Sequence, residues 1–282
     1  MKQFTFRGLM APVFTPFLND KGKTINYDII EEYAGFLKSK KVPAILVNGT
    51  TGEGMCMSVQ ERKLVTEKWK EACDKHGLVM MVQVGGAPYP DVIELARHAE
   101  QLDVNGVLCL PELYFKPKTP EKLVEYLQHV AIHCAKTPFF YYHIPMFSDV
   151  NVNMPTFLNL AEKAIPNFRG IKYTSGELDQ GSGCLKPSRF ILLGADSILC
   201  GAVAAGFDSF IMTTLNIWPE ISLQIIENLG KGELKKARTL QCELNAKIAD
   251  VLKHGDWVTA MKKAFNENCP FDLGKTRAPL SF

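Results

Sequence analysis

The feature that most constrains the fold is a regular alternation of short apolar segments with helical ones. Eight apolar runs recur at roughly 20 to 40 residues, and most are continuous and not alternating, which is typical of strands covered on both faces. The pattern predicts a parallel sheet enclosed by helices. The runs are RGLMAPVF, AILVNG, LVMMVQVGG, GVLCLP, PFFYYHIP, FRGIKYTS, RFILLGAD and DSFIMTTLN, which begin at residues 7, 44, 78, 106, 138, 168, 189 and 208.

The segments between the runs carry signals for helix starts. Ser58 followed by Glu61 forms a capping box ahead of a helix that is predicted to reach Lys75. Three other segments place a proline where a helix should begin, at positions 90, 120 and 155. Residues 27–41 carry apolar side chains at helical spacing. The link after the sixth run is weaker and predicts only a short helix.

Eight strand–helix units in one chain of 282 residues predict a (β/α)8 TIM barrel. The alternative is a doubly wound open sheet, whose first turn would normally be glycine-rich, whereas MAPVFTPF contains no GxGxxG. Three further helical segments follow, from about Trp218, Gly232 and Asp256. We therefore expect a single domain over residues 1–282, with the barrel in 1–216 and C-terminal helices in 217–282 packed on it.

Charge and composition exclude several classes of partner. A net charge of +2 and a pI of about 8.0 are not those of a nucleic-acid or membrane-surface binder. No apolar run approaches the roughly 20 residues of a spanning helix, and MKQFTFRGLM has no signal-peptide pattern. The eight cysteines show no CxxC spacing, which predicts reduced, buried thiols in a cytoplasmic protein, without disulfides or zinc.

Catalytic groups of such barrels come from the C-terminal ends of the strands and the loops that follow. Polar residues are concentrated at these ends. They are Thr15, residues 48–53, residues 141–143, residues 172–174, residues 194–197 and residues 213–216.

Lys172 stands inside an otherwise apolar strand. Residues two apart share a face of a strand, so Lys172 and Thr174 point one way and Ile171 and Tyr173 the other. The apolar pair suits the helix layer, which leaves Lys172 in the barrel interior. Burial penalises the charged form of a lysine and makes free amine available, as imine formation with a carbonyl substrate requires. The other interpretations are a lysine paired with a carboxylate or one that reaches the rim.

Two neighbouring features support a catalytic interpretation of that lysine. GTTGEG, residues 49–54, offers hydroxyls and successive backbone N–H groups in a glycine-flanked turn, which suits a carboxylate, although a plain turn is the alternative. Tyr142, one strand earlier, could move protons around a carbinolamine, although tyrosines in barrel strands more often serve packing. Together with Lys172 they place a lysine, a tyrosine and a turn suited to a carboxylate at one rim, which favours the catalytic interpretation.

The motifs GTTGEG, YYHIP and GIKYTS resemble those of the dihydrodipicolinate synthase and N-acetylneuraminate lyase family of pyruvate-dependent aldolases, essentially from end to end. The resemblance implies that Lys172 forms the Schiff base with pyruvate, that Tyr142 is the proton-relay phenol, and that Thr50 and Thr51 hold the pyruvate carboxylate. It also implies a homotetramer without metal or organic cofactor.

The residues that follow these motifs bear on the second substrate. Synthases of the family usually carry an arginine shortly after YYHIP, and residues 145–149 contain none, which disfavours that role. The lyases typically have Gly-x-Asp-Glu after the seventh strand, where this chain has Ser197 in place of glutamate, and Met212 and Thr213 replace a Gly-Ser pair. These changes fall in the half of the site that is expected to bind the aldehyde. Besides Thr50 and Thr51, the residues predicted to bind substrate are Thr174, Gly194, Asp196, Ser197 and Thr213.

The resulting prediction is a class I, lysine-dependent aldolase or lyase that reversibly cleaves N-acetylneuraminate to pyruvate and N-acetylmannosamine. One alternative is a related 2-oxo-acid aldolase or hydratase-aldolase with a different aldehyde. Another is a barrel that binds a ligand without catalysis. A phosphorylated-sugar aldolase is disfavoured because residues 213–216, TTLN, lack the glycine that phosphate sites favour there. Three further residues have secondary interpretations: Trp218 and Trp257 as packing of the C-terminal helices, and Tyr114 as an aromatic ring near a neighbouring subunit's site.

Overall fold

The structure, a computed structural model, describes residues 2–20 and 23–281. Eight parallel strands pair in chain order, and the eighth closes on the first to form a barrel. All eight predicted strands are confirmed, and with them the (β/α)8 fold, while the open-sheet alternative is excluded by the closure. The strands are β1 Gly8–Pro12, β2 Ala44–Val47, β3 Val79–Gln83, β4 Gly106–Cys109, β5 Phe139–His143, β6 Phe168–Tyr173, β7 Phe190–Leu193 and β8 Ser209–Ile211.

Helices follow the strands on the outside of the barrel. The predicted capping box is present, because the Ser58 hydroxyl accepts from the Glu61 amide and the Glu61 carboxylate accepts from the Ser58 amide. Prolines stand in the first turn of several helices, as predicted. The helices are α1 Ile30–Ser39, α2 Val59–His76, α3 Tyr89–Gln101, α4 Pro120–Ala131, α5 Pro145–Ser148, α6 Met154–Ala164, α7 Leu178–Gly183, α8 Leu199–Ala204, α9 Pro219–Gly230, α10 Leu234–Val251 and α11 Trp257–Asn268.

The strand register divides the apolar side chains between two layers. Ile171 and Tyr173 belong to the large core between sheet and helices. Tyr142 belongs to a smaller cluster that fills the barrel interior. Lys172 pairs in register with Tyr142 on β5 and Leu192 on β7, and it points into the interior with them. The predicted direction of Lys172 is therefore confirmed.

The three C-terminal helices contribute to the core. Phe265 of α11 packs edge-on against Phe14, which follows β1, and its ring is tilted against that of Tyr33 of α1. Tyr33 in turn contacts Trp69 of α2. The last helix is thus anchored in aromatic contacts with the first two units of the barrel. The boundary at residue 217 stays a prediction.

The cysteines and helices of the described residues bear on two sequence predictions. All eight cysteines have free thiols. Five of them are buried, Cys56 and Cys269 are partly buried, and Cys242 is exposed. The prediction of buried thiols is therefore wrong for Cys242. Within residues 2–20 and 23–281, no helix has both the length and the apolarity needed to cross a bilayer.

Candidate active site

A cavity of about 500 Å³ opens at the C-terminal end of the barrel. Its walls come from the ends of five strands and from the C-terminal helices, so residues far apart in sequence meet there. Every residue that the sequence predicts as catalytic or substrate-binding lines this one cavity. They are Thr50, Thr51, Tyr142, Lys172, Thr174, Gly194, Asp196, Ser197 and Thr213.

Lys172 lines the cavity and is buried, with 4% of its surface exposed. Its Nζ lies 4.2 Å from the centre of the Tyr142 ring, over the electron-rich face. None of the ion pairs in the described part of the chain involves Lys172. The alternative in which this lysine is paired with a carboxylate is therefore not what the structure shows. An amine at this place in the cavity lies where it can form an imine with a bound carbonyl compound.

The turn after β2 brings two hydroxyl pairs beside the lysine. The Thr50 hydroxyl lies 3.1 Å from the Tyr142 hydroxyl, and the Thr51 hydroxyl lies 3.0 Å from that of Thr213. Hydroxyls can donate as well as accept, so each pair can orient one proton toward a ligand. The arrangement offers adjacent donors for a carboxylate next to the amine of Lys172.

An ion pair in the core holds this turn in place. Glu53 adopts a left-handed conformation with φ 55°, and its Oε1 accepts from Lys262 Nζ at 2.8 Å. Its Oε2 accepts from the Arg277 amide at 2.7 Å. Burial raises the pKa of Glu53 and lowers that of Lys262, while their mutual attraction acts in the opposite direction. The turn is thereby fixed to α11 and to the C-terminal segment.

The opposite wall is formed by the turns after β7 and β8. Asp196 is buried, and its Oδ1 accepts from the Thr214 amide at 2.8 Å. Burial raises the pKa of this carboxyl, and the hydrogen bonds from Thr214 act in the opposite direction. Ser197 is exposed, and its carbonyl accepts from Asn245 of α10 at 3.1 Å. One Asp196 oxygen thus fixes the β8 turn, and the Ser197 side chain is left open to the cavity.

Gly194 allows the side chains of Thr174 and Lys172 to approach the backbone after β7 closely. A Cβ atom at this position would lie 2.3 Å from Thr174 Oγ1 and 3.3 Å from Lys172 Cε. Thr174 Oγ1 is buried and has no partner among the described residues, so a ligand could satisfy it. Glycine is therefore required here for space and not for its backbone freedom.

Gly194→Ala is expected to lower kcat/KM strongly, because the new methyl group must displace Thr174 and press on Lys172. A shift of about 1 Å in a reacting group can lower activity about 100-fold. Gly176→Ala is the matched control: Gly176 lines the same cavity, and a Cβ there meets nothing within 4 Å. Steady-state kinetics of both variants would check this, and equal effects of the two would contradict it.

Sequence reasoning missed the role of Trp257. This residue begins α11, and its indole lines the cavity and donates from Nε1 to Thr213 Oγ1 at 3.2 Å. The interpretation of Trp257 as helix packing is therefore incomplete: the ring packs against the core, and the indole N–H also reaches the cavity wall. Apolar side chains from α5, α10 and the segment after it complete the rim, namely Met146, Phe147, Ile248 and Leu252. No local signal marks these residues, because the turns that bring them together are distant in sequence.

Two further residues, His143 and Tyr114, lie outside the cavity. His143 points to the helix layer, where its ring stacks on Tyr173 at 5.2 Å, and burial lowers its pKa to about 4. Tyr114 is 84% exposed and packs edge-on against the equally exposed Phe115. Neither side chain lines the cavity of this chain.

Fold and site together define a (β/α)8-barrel enzyme with a buried lysine at the C-terminal rim. A sequence model described as the dihydrodipicolinate synthetase family matches residues 5–281, and the chain belongs to this family. N-acetylneuraminate lyase A of Xenopus laevis is 34% identical over 278 residues, which are 97% of this chain and 90% of that protein.

Solved structures agree with this assignment. The N-acetylneuraminate lyase of Proteus mirabilis superposes with a TM-score of 0.92 at 34% identity, over 98% of this chain and 92% of that one. The N-acetylneuraminate lyase (sialic acid aldolase) of Aliivibrio salmonicida gives a TM-score of 0.92 at 36% identity, over 98% and 91% of the two chains. The chain is an enzyme of the carbon–carbon lyase class.

Proposed function

We propose that the protein is a class I aldolase that reversibly cleaves N-acetylneuraminate to pyruvate and N-acetylmannosamine through an imine on Lys172. The observation that carries the proposal is the buried Lys172 amine, which lies over the Tyr142 ring without a carboxylate partner in the described part of the chain. Similarity to lyases named for this substrate supports it.

The reaction proceeds through nucleophilic attack of the Lys172 amine on the C2 carbonyl of the open-chain sugar. Loss of water gives a protonated imine, which withdraws electrons from the adjacent C3–C4 bond. Removal of the C4 hydroxyl proton then breaks that bond and releases N-acetylmannosamine as the aldehyde, leaving an enamine. Protonation of the enamine at C3 and hydrolysis of the imine release pyruvate and restore the free amine.

Tyr142 and the two threonines supply the remaining functions. The Tyr142 hydroxyl gives and takes the protons of carbinolamine formation and C4 deprotonation, which requires a group within hydrogen-bond reach. Thr50 lies 3.1 Å from that hydroxyl and orients it. Thr50 and Thr51 bind the substrate carboxylate. Thr174, Gly194, Asp196, Ser197 and Thr213 form the half of the cavity that receives the sugar chain.

The proposal extends to cofactors, assembly and location. The imine chemistry needs neither a metal nor an organic cofactor. No group of three or more His, Cys, Asp or Glu side chains suited to a metal ion occurs among residues 2–20 and 23–281. We propose a homotetramer in the cytoplasm, with Tyr114 and Phe115 as aromatic side chains available to an interface between subunits. Sedimentation of the purified protein would test the assembly.

Reduction with borohydride tests the chemistry directly. Incubation with pyruvate, or separately with N-acetylneuraminate, followed by reduction should leave a pyruvate-derived adduct on the peptide that contains Lys172. N-acetylmannosamine should appear in the second reaction. An adduct from pyruvate alone would retain the aldolase and require a different aldehyde. No adduct from either compound would overturn the proposal and favour a barrel that binds a ligand without catalysis.

Ser197 differs from the glutamate typical of the lyases and lies in the half of the cavity proposed for the aldehyde, while the residues proposed for pyruvate match the family. If this difference alters specificity, Ser197 lowers the activity toward N-acetylneuraminate. Ser197→Glu should restore a charge-assisted acceptor, which contributes about 1.5–3 kcal/mol and raises kcat/KM for N-acetylneuraminate by roughly 10- to 100-fold. Ser197→Gln separates charge from size and should gain less. If the wild type cleaves N-acetylneuraminate efficiently and Ser197→Glu brings no improvement, the altered specificity of this half is excluded.

A further inference from the structure

Three side chains from three separate parts of the chain form a line of hydrogen bonds along the cavity wall. The Trp257 indole donates to the Thr213 hydroxyl at 3.2 Å, and the Thr213 hydroxyl lies 3.0 Å from that of Thr51. Thr51 and Thr213 are 4% and 5% exposed, so bulk water competes little for these bonds. All three residues line the cavity that holds Lys172.

The chemistry of the first member favours one direction for the line. An indole N–H can only donate, so Thr213 Oγ1 must act as its acceptor. A hydroxyl that accepts becomes a better donor, and Thr213 then donates to Thr51. The Thr51 hydroxyl has accepted in its turn, and its own proton is left for a ligand. The reverse direction would turn the Thr51 proton toward Thr213 and present a lone pair to the ligand.

We infer that Trp257 and Thr213 are positioning residues for the carboxylate of the 2-oxo acid, because they orient the Thr51 proton toward it. The inference rests on the proposed function, since the carboxylate belongs to the substrate that forms an imine with Lys172. It gives Thr213 a task beyond contact with the sugar chain. It also gives the indole N–H of Trp257 a function that a phenylalanine ring at this position could not perform.

The backbone around both residues holds the line in register. Asp256 caps α11 through its Oδ1, which accepts from the amides of Val258 and Thr259, so Trp257 starts the helix in a fixed orientation. Thr213 belongs to a 3₁₀ turn whose next amide, that of Thr214, is held by Asp196. The start of α11, which carries Trp257, and the turn that carries Thr213 are therefore each fixed by further hydrogen bonds.

Four variants test the inference through pyruvate binding. Trp257→Phe keeps an aromatic ring and removes the N–H; Thr213→Val keeps the shape and removes the hydroxyl; Thr213→Ser retains the hydroxyl. Trp218→Phe is the matched control, because Trp218 packs in the helix layer and does not line the cavity. The first readout is the pyruvate concentration at which half of the protein molecules carry a borohydride-trapped adduct on Lys172. The second is kcat for the cleavage of N-acetylneuraminate at saturation.

Trp257→Phe and Thr213→Val should each raise that concentration by about 3- to 10-fold, the range for loss of one hydrogen bond, with kcat at saturation changed less. Trp218→Phe should stay near wild type, and Thr213→Ser should keep the half-saturating pyruvate concentration of the wild type because it retains the hydroxyl. Since the two residues act on one proton, the double variant with both Trp257→Phe and Thr213→Val should bind pyruvate no more weakly than Thr213→Val alone.

Each other outcome is decisive. The inference would be overturned if Trp257→Phe left the half-saturating pyruvate concentration unchanged, or if the effects of the two substitutions were fully additive in the double variant. The proposed aldolase function would still stand in either case, provided that the wild type forms the trapped adduct. A change in kcat alone would also overturn it, because orientation of a carboxylate donor acts on binding. Absence of any adduct in the wild type would remove the proposed function and the inference with it.

Discussion

Replacing Lys172 by methionine is expected to abolish both the borohydride-trapped adduct and the lyase reaction. Methionine has a similar length and no nucleophilic nitrogen, so the imine cannot form and the carbanion at C3 has no electron sink. The rate enhancements of enzymes are about 10⁶-fold or more, and loss of the covalent route should lower kcat/KM by at least about 10⁴-fold. Assays of N-acetylmannosamine release would measure the loss of the lyase reaction, and mass spectrometry of the peptide that contains residue 172 would measure the loss of the adduct.

Stability provides the control for this variant. Lys172 is buried without an ion pair in the described part of the chain, so an apolar side chain of similar volume should leave the free energy of unfolding unchanged or increase it. Inactivity combined with undiminished stability would separate a catalytic role from a structural one. Retention of a trapped adduct in Lys172→Met would show that a different amine carries the chemistry.

The fold could be predicted from sequence because its signals are local. Most strands are continuous apolar runs, and several helix starts are marked by a capping residue or a proline within a few positions. The direction of Lys172 follows from the same logic, since Ile171 and Tyr173 must face the helices. These inferences require no knowledge of which residues meet in space.

The cavity could be predicted only in part, for the same physical reason. Residues at strand ends meet by the symmetry of the barrel, so the positions of Thr50, Tyr142 and Lys172 follow once the strands are placed. Trp257 and Lys262 lie on α11, and nothing in the sequence specifies where that helix packs. The contact of Lys262 with Glu53 spans 209 positions and carries no periodic or local signature.

The structure also changes the weight of the residues that differ from the family pattern. Ser197 is exposed at the cavity and can be altered with little effect on packing. Thr213 differs from Ser197 because its hydroxyl is bonded to both Thr51 and Trp257. A change at position 213 should therefore affect the part of the cavity proposed for pyruvate as well as the part proposed for the sugar. A change at position 197 should affect only the latter.

Lys262→Met is expected to destabilise the protein by about 3–5 kcal/mol, the usual consequence of removing one partner of a buried ion pair. The Lys262 and Glu53 side chains are 1% and 0% exposed, and Lys262 Nζ also donates to the Thr15 carbonyl at 2.7 Å. Chemical denaturation at neutral pH would measure the loss. Lys263→Met is the matched control, because its pair with Glu267 lies on the surface at 3.7 Å and should contribute about 1 kcal/mol or less.

The pH dependence of that loss identifies its cause. Burial already raises the pKa of Glu53, and removal of Lys262 raises it further, so the folded variant binds a proton more tightly than the unfolded chain. Its stability deficit relative to wild type should shrink as pH falls through the raised pKa toward that of an ordinary glutamate. Glu53→Gln in the Lys262→Met background should recover part of the loss at neutral pH and remove this dependence. A deficit independent of pH and unaffected by Glu53→Gln would instead assign the loss to the carbonyl contacts of Lys262.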